Sequence, residues 1–401
     1  MANLKLMCLT WNQELASIHK KDIKPLMELI RDERPALIVI GLQEARPTGI
    51  FHKPSKSLAF VGEKIAANLR RDYHLNNYQF LGRQSFRGIT KGMQVVKSID
   101  LTRSQLARQV IEVISSNPNI TLSRTKYYQT KFLAEKGFVF AEVLFNNKRL
   151  AFIATHLDSG TNIKKLRKMA YKIRAKLHDW NNDDPRYNAL FLMGDLNYRV
   201  RRSDELSGKV SQAESQLVLD MLHTRVERQQ LMRRDSFITD PDNPVTVGAL
   251  SFDSGPAELD SLNMHWIPFH PDALPTYKRT TKTDSKGYAA WRRLLQMRDY
   301  RQDGRIPKGM MYGVDEYDRD KALGVYLKDG KLKEKRAGFY DFGWLDRVGI
   351  RTSHVFGDRL IVKPNPVRLL NPNEQPILKS MMQVTGGDHV PVYTILEFQG
   401  F

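Results

Sequence analysis

The sequence predicts an α/β protein in which packed β-sheets are flanked by helices. Short apolar stretches typical of buried strands are mixed along the chain with amphipathic helices, and two of the strands adjoin through a hairpin. This mixture argues against a simple series of βαβ units. The length of 401 residues allows one large domain or two ordinary ones. We expect a single domain over residues 1–401, with an insertion at about 279–341 that is rich in Lys, Arg, Asp, Tyr and Gly.

The N-terminal part reads as strand, helix, strand and helix. LKLMCLTWN is apolar and ends in a polar residue, and ALIVIGLQEA has the pattern of a buried strand. Between them, DIKPLMELIRDE carries apolar residues at helical spacing: Ile23, Leu26, Met27, Leu29 and Ile30. A second helix is predicted over Ser57–Asp72.

The rest of the chain contains further strands and a basic helix. GFVFAEVLF and RLAFIATHL are predicted strands joined by a hairpin at Asn146-Asn147-Lys148. A basic helix is predicted from Asn162 to about Trp180, followed by the strand YNALFLMGD. Helical patterning returns between Ser211 and Arg234, a hairpin is expected around LKDGKL, and PVYTILEF is the last strand.

The charge of the chain narrows the classes of partner. Lys and Arg number 63 against 44 Asp and Glu, a formal net charge of +19, which favours polyanions such as nucleic acid, anionic lipid or highly phosphorylated small molecules. The lone Cys8 excludes an internal disulfide framework and a multi-cysteine zinc site, which fits a reducing cytosol. No apolar stretch is long enough for a transmembrane helix, and the N-terminus does not resemble a signal peptide.

Five predicted strand ends finish in residues suited to metal or phosphate. They are TWN (Asn12), GLQEA (Glu44), ATHLDSG (His156), MGDLNYR (Asp195, Asn197, Arg199) and GGDHVPV (Asp388, His389). Any one of them alone is more readily explained as an ordinary turn. Because functional sites gather at strand ends and the loops that follow them, five such ends on one chain favour a shared site.

These residues suit the cleavage of a phosphate ester assisted by Mg²⁺. Glu44, Asn12 and Asp388 offer a partial shell of oxygen ligands, which Mg²⁺ prefers. Asp195 can act as base for a water, with Asn197 orienting water or phosphate. The two histidines, His156 and His389, can donate to phosphoryl oxygens, and Asp346 in GWLDRVG is available as a carboxylate partner that keeps a histidine protonated.

The segments GDLNYRV, LPTYK, WLDRV and GDHVPV, in that order, resemble the inositol polyphosphate 5-phosphatase family of the exonuclease–endonuclease–phosphatase superfamily. The resemblance implies a four-layer sandwich, in which two packed mixed β-sheets are flanked by helices on both outer faces. It implies a Mg²⁺-dependent hydrolase that removes the 5-phosphate from phosphoinositides such as phosphatidylinositol 4,5-bisphosphate, from soluble inositol polyphosphates, or from both.

The resemblance also implies roles for individual residues. Glu44 matches the principal magnesium ligand, with Asn12 nearby and Asp388 beside the metal, and Asp195 matches the residue that activates water, with Asn197 as its partner. His389 matches the histidine on the scissile phosphate, oriented by Asp346, and His156 matches a further site histidine. Tyr277 and Lys278 match the pair that grips the 4-phosphate. Two further candidate phosphate contacts are Lys136, retained in AEKGFVF, and Arg199.

Two alternatives remain open at this point. A nuclease of the same superfamily would share about half of these motif residues, although Tyr198-Arg199 and TYK argue against it. A catalytically inactive lipid-binding module is disfavoured because the expected catalytic positions hold competent residues. We expect a monomer in the cytoplasm that contacts anionic membranes peripherally, or alternatively a bacterial effector delivered to a host cytosol.

Three segments are candidates for contact with an anionic membrane. They are the basic helix at Lys164–Lys176, Ile50-Phe51, and Trp266-Ile267-Pro268-Phe269. For the first, a solvated charged face is the favoured explanation, and buried anchors explain the other two equally well. Trp11 and Trp344 are expected to be packing residues.

Overall fold

The computed structural model describes most of the first half of the chain and shorter parts of its second half, with gaps. The described residues are 3–13, 20–45, 61–89, 106–129, 136–157, 163–181, 187–198, 226, 230, 232–233, 245–247, 250–253, 255–269, 276, 325–328, 331–334, 344–352, 361–364, 368–369, 389 and 391–399.

The helices and strands are mixed along the chain, with runs of consecutive strands between the helices. The first half contains β1 (Leu4–Asn12), α1 (Lys20–Glu33), β2 (Leu37–Ala45), α2 (Val61–Tyr73), β3 (Gln79–Ile89), β4 (Leu106–Ser115), β5 (Ile120–Gln129), β6 (Gly137–Phe145), β7 (Lys148–His156), α3 (Ile163–Asn181) and β8 (Ala189–Asp195). The second half contains β9 (Val245–Val247), β10 (Leu250–Phe252), the 3₁₀-helix η1 (Ala257–Leu262), β11 (His265–Trp266), β12 (Val325–Lys328), β13 (Lys331–Glu334), β14 (Asp346–Thr352), β15 (Ile361–Pro364), β16 (Arg368–Leu369) and β17 (Val392–Gln399).

Two large mixed sheets form the body of the protein. The first sheet has the strand order β15-β17-β1-β2-β4-β3, with β16 also paired to β17, and the second has the order β11-β14-β8-β7-β6-β5. In each sheet one central pair is parallel, β1 with β2 and β7 with β8, and the pairs beside it are antiparallel. The two parallel pairs bring the carboxyl ends of four strands to one end of the sandwich.

Side-chain alternation along the strands explains the layers. In β1, Leu4, Leu6 and Cys8 pack between the two sheets, whereas Met7, Leu9 and Trp11 pack under α1 and α2 on the other side. The second sheet divides its side chains in the same way, with α3 and η1 covering its outer face. The predicted class, two packed mixed sheets flanked by helices on both outer faces, is therefore confirmed.

The contact between the sheets is closest at Gly41 of β2. A Cβ placed there would lie 2.8 Å from the Cβ of Ala154 in β7 and 3.1 Å from Cγ of Met193 in β8. Since real Cβ atoms do not approach other carbons this closely, glycine lets the two sheets meet at this point.

Most predicted elements are confirmed, with small shifts at their ends. The helix predicted over Ser57–Asp72 is described from Val61 to Tyr73, and the hairpin expected at LKDGKL is the β12–β13 pair. In the hairpin between β6 and β7, Asn146 and Asn147 both have positive φ, as a two-residue type I′ turn requires. Lys148, predicted as part of this turn, instead pairs with Phe145 and begins β7.

Other predictions were incomplete or cannot be compared. The strands β3, β4, β5, β9, β10, β11, β14, β15 and β16 were not predicted. Most of the helical pattern between Ser211 and Arg234, and most of the expected insertion at 279–341, lie outside the described residues. None of the helices in the described part of the chain is long and apolar enough to span a membrane.

A buried carboxylate, Glu112 of β4, supports the start of α2. Its Oε2 accepts a hydrogen bond of 2.7 Å from the backbone N–H of Gly62, and Nε of Arg83 lies 3.6 Å from its Oε1. Burial raises the pKa of Glu112 to about 7, although the Gly62 N–H and Arg83 oppose the shift. The folded protein therefore holds a proton on Glu112 at a pH at which the unfolded chain has released it.

This raised pKa predicts a loss of stability on the alkaline side. Protonated Glu112 contributes roughly 2–3 kcal/mol to the free energy of unfolding. This contribution is fully present below about pH 4.5 and is lost as pH rises through about 7. Glu112→Gln keeps an oxygen for Gly62 and has no proton to lose. In urea unfolding at pH 5 and pH 8, wild type should lose about 2–3 kcal/mol more than this variant. Parallel pH profiles for the two proteins would contradict the prediction.

Candidate active site

One row of the second sheet collects three of the predicted site residues. Strand register places Gly137 opposite His156, His156 beside Asp195, and Asp195 opposite Asp346, across β6, β7, β8 and β14. In each of these strands, the residue two positions from this row packs in the core between the sheets. Because side chains two positions apart lie on the same face of a strand, the side chains of the row also point to that side. His156, Asp195 and Asp346 thus meet at one end of the inter-sheet core.

The first sheet contributes Asn12 and Glu44 to the same end. Asn12 ends β1 and pairs in register with Gln43 of β2, directly before Glu44. Nδ2 of Asn12 donates a hydrogen bond of 2.9 Å to Oδ2 of Asp195, which links the two sheets. Glu44 has φ 47°, a left-handed conformation that a non-glycine residue rarely adopts, at a point where the β2–β4 register shifts. Such strain is common where a side chain must be aimed into a site.

Asp195 lies at the centre of the site and is fully enclosed, with 1% of its surface exposed. Besides the bond from Asn12, its Oδ1 accepts a hydrogen bond of 2.8 Å from the backbone N–H of Asn197. Asn197 has φ 59°, and its Nδ2 donates 2.9 Å to the carbonyl of Leu157. The turn after β8 is thereby held to the end of β7, and both carboxylate oxygens of Asp195 have fixed donors.

Positive groups surround Asp195. Nε2 of His156 lies 3.3 Å and Nε2 of His389 lies 3.7 Å from its Oδ2, and Lys136 contacts His156. Burial by itself would raise the pKa of Asp195, but His389, His156 and Lys136 outweigh that effect and hold the pKa far below its ordinary value. These groups therefore favour the ionised form of Asp195.

His389 and Asp346 form a buried pair. Nδ1 of His389 lies 2.9 Å from Oδ2 of Asp346, and both residues are at most 4% exposed. This contact places a proton on Nδ1 and leaves Nε2 facing the site. Burial raises the pKa of Asp346, and the nearby negative charge of Asp195 adds to this shift. His389 and a hydrogen bond from Thr276 lower the pKa and so oppose it.

His156 joins Lys136 to the carboxylates. Its Nε2 contacts Nζ of Lys136 and lies 3.7 Å from Oε1 of Glu44. The Nδ1 atom of His156 is buried and has no hydrogen-bond partner among the described residues. Lys136 precedes the first residue of β6 and thus carries a positive charge to the same strand end.

The residues present fit a magnesium ion bound with few protein ligands. Glu44 is partly exposed, with 20% of its side chain accessible, and Asn12 offers an amide beside it. In the described part of the chain no three His, Cys, Asp or Glu side chains form a closed metal cluster. Because Mg²⁺ usually takes one or two carboxylates and keeps several waters, this open donor set suits it better than zinc.

Two supporting residues were not predicted. Oγ1 of the fully buried Thr276 accepts hydrogen bonds from the backbone N–H groups of Leu345, at 3.0 Å, and Asp346, at 3.4 Å. Thr276 belongs to LPTYK, so this motif is tied to the start of β14. Gly194, directly before Asp195, has φ 147°, and a Cβ there would lie 1.9 Å from the carbonyl oxygen of Thr155. Only their positions inside the motifs could have indicated either residue.

Several predicted residues cannot be compared with the structure. Arg199, Tyr277, Lys278 and Asp388 lie outside the described residues, and so does the Ile50-Phe51 segment. The roles proposed for them stay predictions.

Five aromatic residues in or near the motifs are buried. Trp11 and Trp344 are core residues, as predicted. Trp266, Ile267 and Phe269 are at most 5% exposed, so the suggestion that they contact a membrane is wrong and the buried anchor is correct. Tyr198 also packs in the outer core under α3, where burial raises the pKa of its phenol.

Comparison with protein families gives one match that covers most of the chain. The model described as Endonuclease/Exonuclease/phosphatase family 2 matches residues 9–244. This span contains β1, β2, β7 and β8, which carry Asn12, Glu44, His156 and Asp195.

A curated relative and two solved structures are also similar. Phosphatidylinositol 3,4,5-trisphosphate 5-phosphatase 1 of Xenopus laevis is 26% identical over 152 residues, which is 35% of this chain and only 14% of that protein. The inositol polyphosphate 5-phosphatase domain of SPsynaptojanin, in complex with inositol (1,4)-bisphosphate and calcium ion, superposes with a TM-score of 0.50 at 16% identity, over 99% of this chain and 84% of that one. The ferrous NO complex of Cimex nitrophorin superposes with a TM-score of 0.52 at 14% identity, over 99% of both chains. These likenesses show the fold and leave function to the site.

Proposed function

Because the chain belongs to the endonuclease/exonuclease/phosphatase family 2, a family of hydrolases, we propose that it is a Mg²⁺-dependent phosphatase that removes the 5-phosphate from phosphoinositides or soluble inositol polyphosphates. One observation carries the proposal: Asp195, His156, His389, Asp346 and Asn12 converge at one end of the sandwich, beside Glu44. The similarity to the Xenopus laevis 5-phosphatase supports the substrate class.

The charge at the site favours a phosphate. Lys136, His156 and His389 face Asp195 and Glu44, so a substrate that brings further negative charge meets several hydrogen-bond donors. Donors fixed in a water-poor site stabilise charge that develops on phosphoryl oxygens better than mobile solvent does. When bound at Glu44 and Asn12, Mg²⁺ supplies further positive charge to those oxygens.

Asp195 is positioned to orient the attacking water. Its two oxygens are held by the Asn197 N–H and the Asn12 amide, so the carboxylate cannot rotate away. The lowered pKa of Asp195 favours its ionised form, which accepts a hydrogen bond from the water. It takes up the proton of that water only as the new P–O bond forms.

His389 is positioned to donate to the phosphate. The Asp346 carboxylate holds the proton on Nδ1 and stabilises the imidazolium, and Nε2–H then points toward the site. The Thr276 hydroxyl fixes the backbone of Asp346 and joins it to LPTYK. We propose that Tyr277 and Lys278, which follow Thr276, contact the 4-phosphate of the substrate, and that Arg199 contacts phosphate after the Asp195 turn.

A substrate panel tests the proposal. Phosphate release is measured with Mg²⁺ on phosphatidylinositol 4,5-bisphosphate in vesicles and on soluble inositol 1,4,5-trisphosphate, with 3-, 4- and 5-phosphate variants of each head group. We expect release only from substrates with a 5-phosphate, assigned by mass spectrometry, and none with EDTA. Asp195→Asn serves as the blank for contaminating phosphatases. Equal release by wild type and this blank would contradict the proposal.

A nuclease is the second candidate, favoured by the net charge of +19. The residues that converge in the structure suit a phosphodiester as well as a monoester. Nicking of supercoiled plasmid or of an abasic duplex by wild type, and not by Asp195→Asn, would establish it. If wild type nicks DNA and releases no phosphate from any inositol substrate of the panel, the nuclease takes the place of the phosphatase as the proposed function.

A further inference from the structure

The exposed surface of α3 is positively charged along its whole length. α3 carries Lys164, Lys165, Arg167, Lys168, Lys172, Arg174 and Lys176, and it has no Asp or Glu between Ile163 and His178. Its buried stripe, which includes Leu166, Ile173 and Leu177, packs on the outer face of the second sheet. The basic residues therefore radiate from the opposite side of the helix, over an arc that faces solvent.

The crest of this arc combines lysines with an exposed aromatic ring. At 100° per residue, Lys164, Lys168 and Tyr171 lie opposite the buried stripe, and all three are exposed. Tyr171 is 66% exposed, the largest exposed fraction of any bulky apolar side chain in the described part of the chain. An aromatic ring that is exposed to this extent makes few packing contacts within the protein. Tyrosine is enriched where proteins meet the membrane interface.

The two flanks of the helix differ in their neighbours. On one flank, Arg167 and the acidic residues Glu258 and Asp260 of η1 all lie close enough to the phenol of Tyr198 to affect its pKa, in opposite directions. On the other flank, Lys172 donates a hydrogen bond to the hydroxyl of Tyr128 in β5 and lies over its ring. The crest between these flanks carries Lys164 and Lys168, both exposed.

The beginning of α3 carries a charge distribution that opposes the helix dipole. The first turn contains no acidic residue, and four basic residues, Lys164, Lys165, Arg167 and Lys168, occupy the first two turns. The N-terminus of a helix is its positive end, so these cations cost stability in the free protein. A surface with negative charge would remove that cost.

We infer that the crest of α3, formed by Lys164, Lys168 and Tyr171, docks the protein on an anionic membrane. The crest is convex and rich in Lys, which acts as a mobile point charge and suits a fluid layer of head groups better than a fixed phosphate pair. A groove that could follow a nucleic-acid strand is not part of it. The inference concerns binding alone and does not depend on the reaction at Asp195.

The position of the crest gives docking a consequence. α3 begins shortly after His156, so its basic first turns lie on the side of the molecule where the strand ends of the site converge. A protein held by this crest keeps the site near the head groups, and a substrate in the membrane is then encountered at a raised local concentration.

Vesicle sedimentation of the full chain tests the inference. Wild type is mixed with vesicles of phosphatidylcholine alone or with about 30% phosphatidylserine, without Mg²⁺. We expect binding only to the anionic vesicles, weakening as NaCl rises from about 50 to 500 mM. The double variant Lys164→Glu/Lys168→Glu should bind at least about tenfold more weakly, and Tyr171→Ser several-fold more weakly.

A charge-matched control separates the crest from net charge. Lys24→Glu/Arg31→Glu makes the same change on exposed residues of α1, at the opposite outer face of the sandwich. This control should keep vesicle binding within about twofold of wild type. Equal weakening by the α1 and α3 variants, or no binding of wild type to anionic vesicles, would overturn the inference.

Two further measurements distinguish other outcomes. The first measurement is the binding of a fluorescent oligonucleotide. If the α3 variant binds the oligonucleotide more weakly than wild type does, but binds anionic vesicles equally well, then the crest binds nucleic acid and the inference is wrong. Phosphate release from a soluble substrate should be equal in wild type and the α3 variant, because Lys164 and Lys168 lie outside the active site. If neither wild type nor the α3 variant releases phosphate, the result counts against the proposed reaction. The vesicle-binding result would still stand, because it does not depend on catalysis.

Discussion

Asp195→Asn is expected to lower kcat by about 10³–10⁴-fold while leaving the protein folded. The substitution removes the anion that is proposed to orient the attacking water and that His156, His389 and Lys136 surround. KM should change little, because the groups proposed to hold the phosphate are cations and remain in place. Steady-state kinetics on the best substrate of the panel gives both constants.

The same substitution also has a predictable effect on stability. Both oxygens of Asp195 accept hydrogen bonds, one from the Asn197 N–H and one from the Asn12 amide. An asparagine has only one oxygen, so its NH₂ group must face a donor, which costs about 1–3 kcal/mol. Urea unfolding should show this loss.

Asp253→Asn is the matched control for this effect. Asp253 is also largely buried and pairs with Nη1 of Arg347 at 3.2 Å, but on the outer face of the second sheet, away from the site. It should lose comparable stability and keep kcat within about threefold of wild type. If both variants lost activity to the same extent, the loss would reflect unfolding, and Asp195 would have no special part in the reaction.

The sequence predicted those strands that are mainly apolar. β1, β2, β6, β7, β8 and β17 are of this kind, and all of them were predicted, although β6 buries Glu142 and β8 buries Asp195. In β4 and β14 the apolar residues are interspersed with charged ones, Arg108 and Glu112 in one and Asp346 and Arg347 in the other, so no apolar run stands out. β5 was missed because, as an edge strand, it exposes polar residues on both sides. In such strands the partner strand decides the conformation, and a single sequence does not contain that information.

For the site, the sequence identified residue types more readily than contacts. Asn12, Glu44, His156, Asp195 and His389 could be named because each lies beside a predicted apolar strand in a motif, and Asp346 because WLDRV resembles a family motif. Their roles remain predictions, although the structure brings them together. The contact of Thr276 with the N–H groups of Leu345 and Asp346 joins positions about 70 residues apart, and its hydroxyl has no pattern that distinguishes it from any other threonine.

Gly194→Ala is expected to have the largest effect on folding of any single substitution considered. A Cβ at this position would lie 1.9 Å from the carbonyl oxygen and 2.8 Å from the carbonyl carbon of Thr155, and φ 147° is itself unfavourable for alanine. Thr155 is in the middle of the second sheet, paired in register with Gly194, so its backbone cannot move without breaking the β7–β8 ladder. We expect a loss of more than about 4 kcal/mol, seen as insoluble or unfolded protein.

Gly41→Ala provides the comparison that identifies the cause. Its Cβ would contact side chains only, at 2.8 Å from Cβ of Ala154 and 3.1 Å from Cγ of Met193, so the overpacking should cost about 1–3 kcal/mol. Ala154→Gly removes one of these contacts, and the double variant should recover part of the loss in a double-mutant cycle. No side-chain change can relieve Gly194→Ala, because the obstacle is backbone. A soluble Gly194→Ala protein with near-native unfolding would show that the turn into Asp195 is looser than this geometry requires, and the fixed carboxylate on which the proposed mechanism depends would then have to be abandoned.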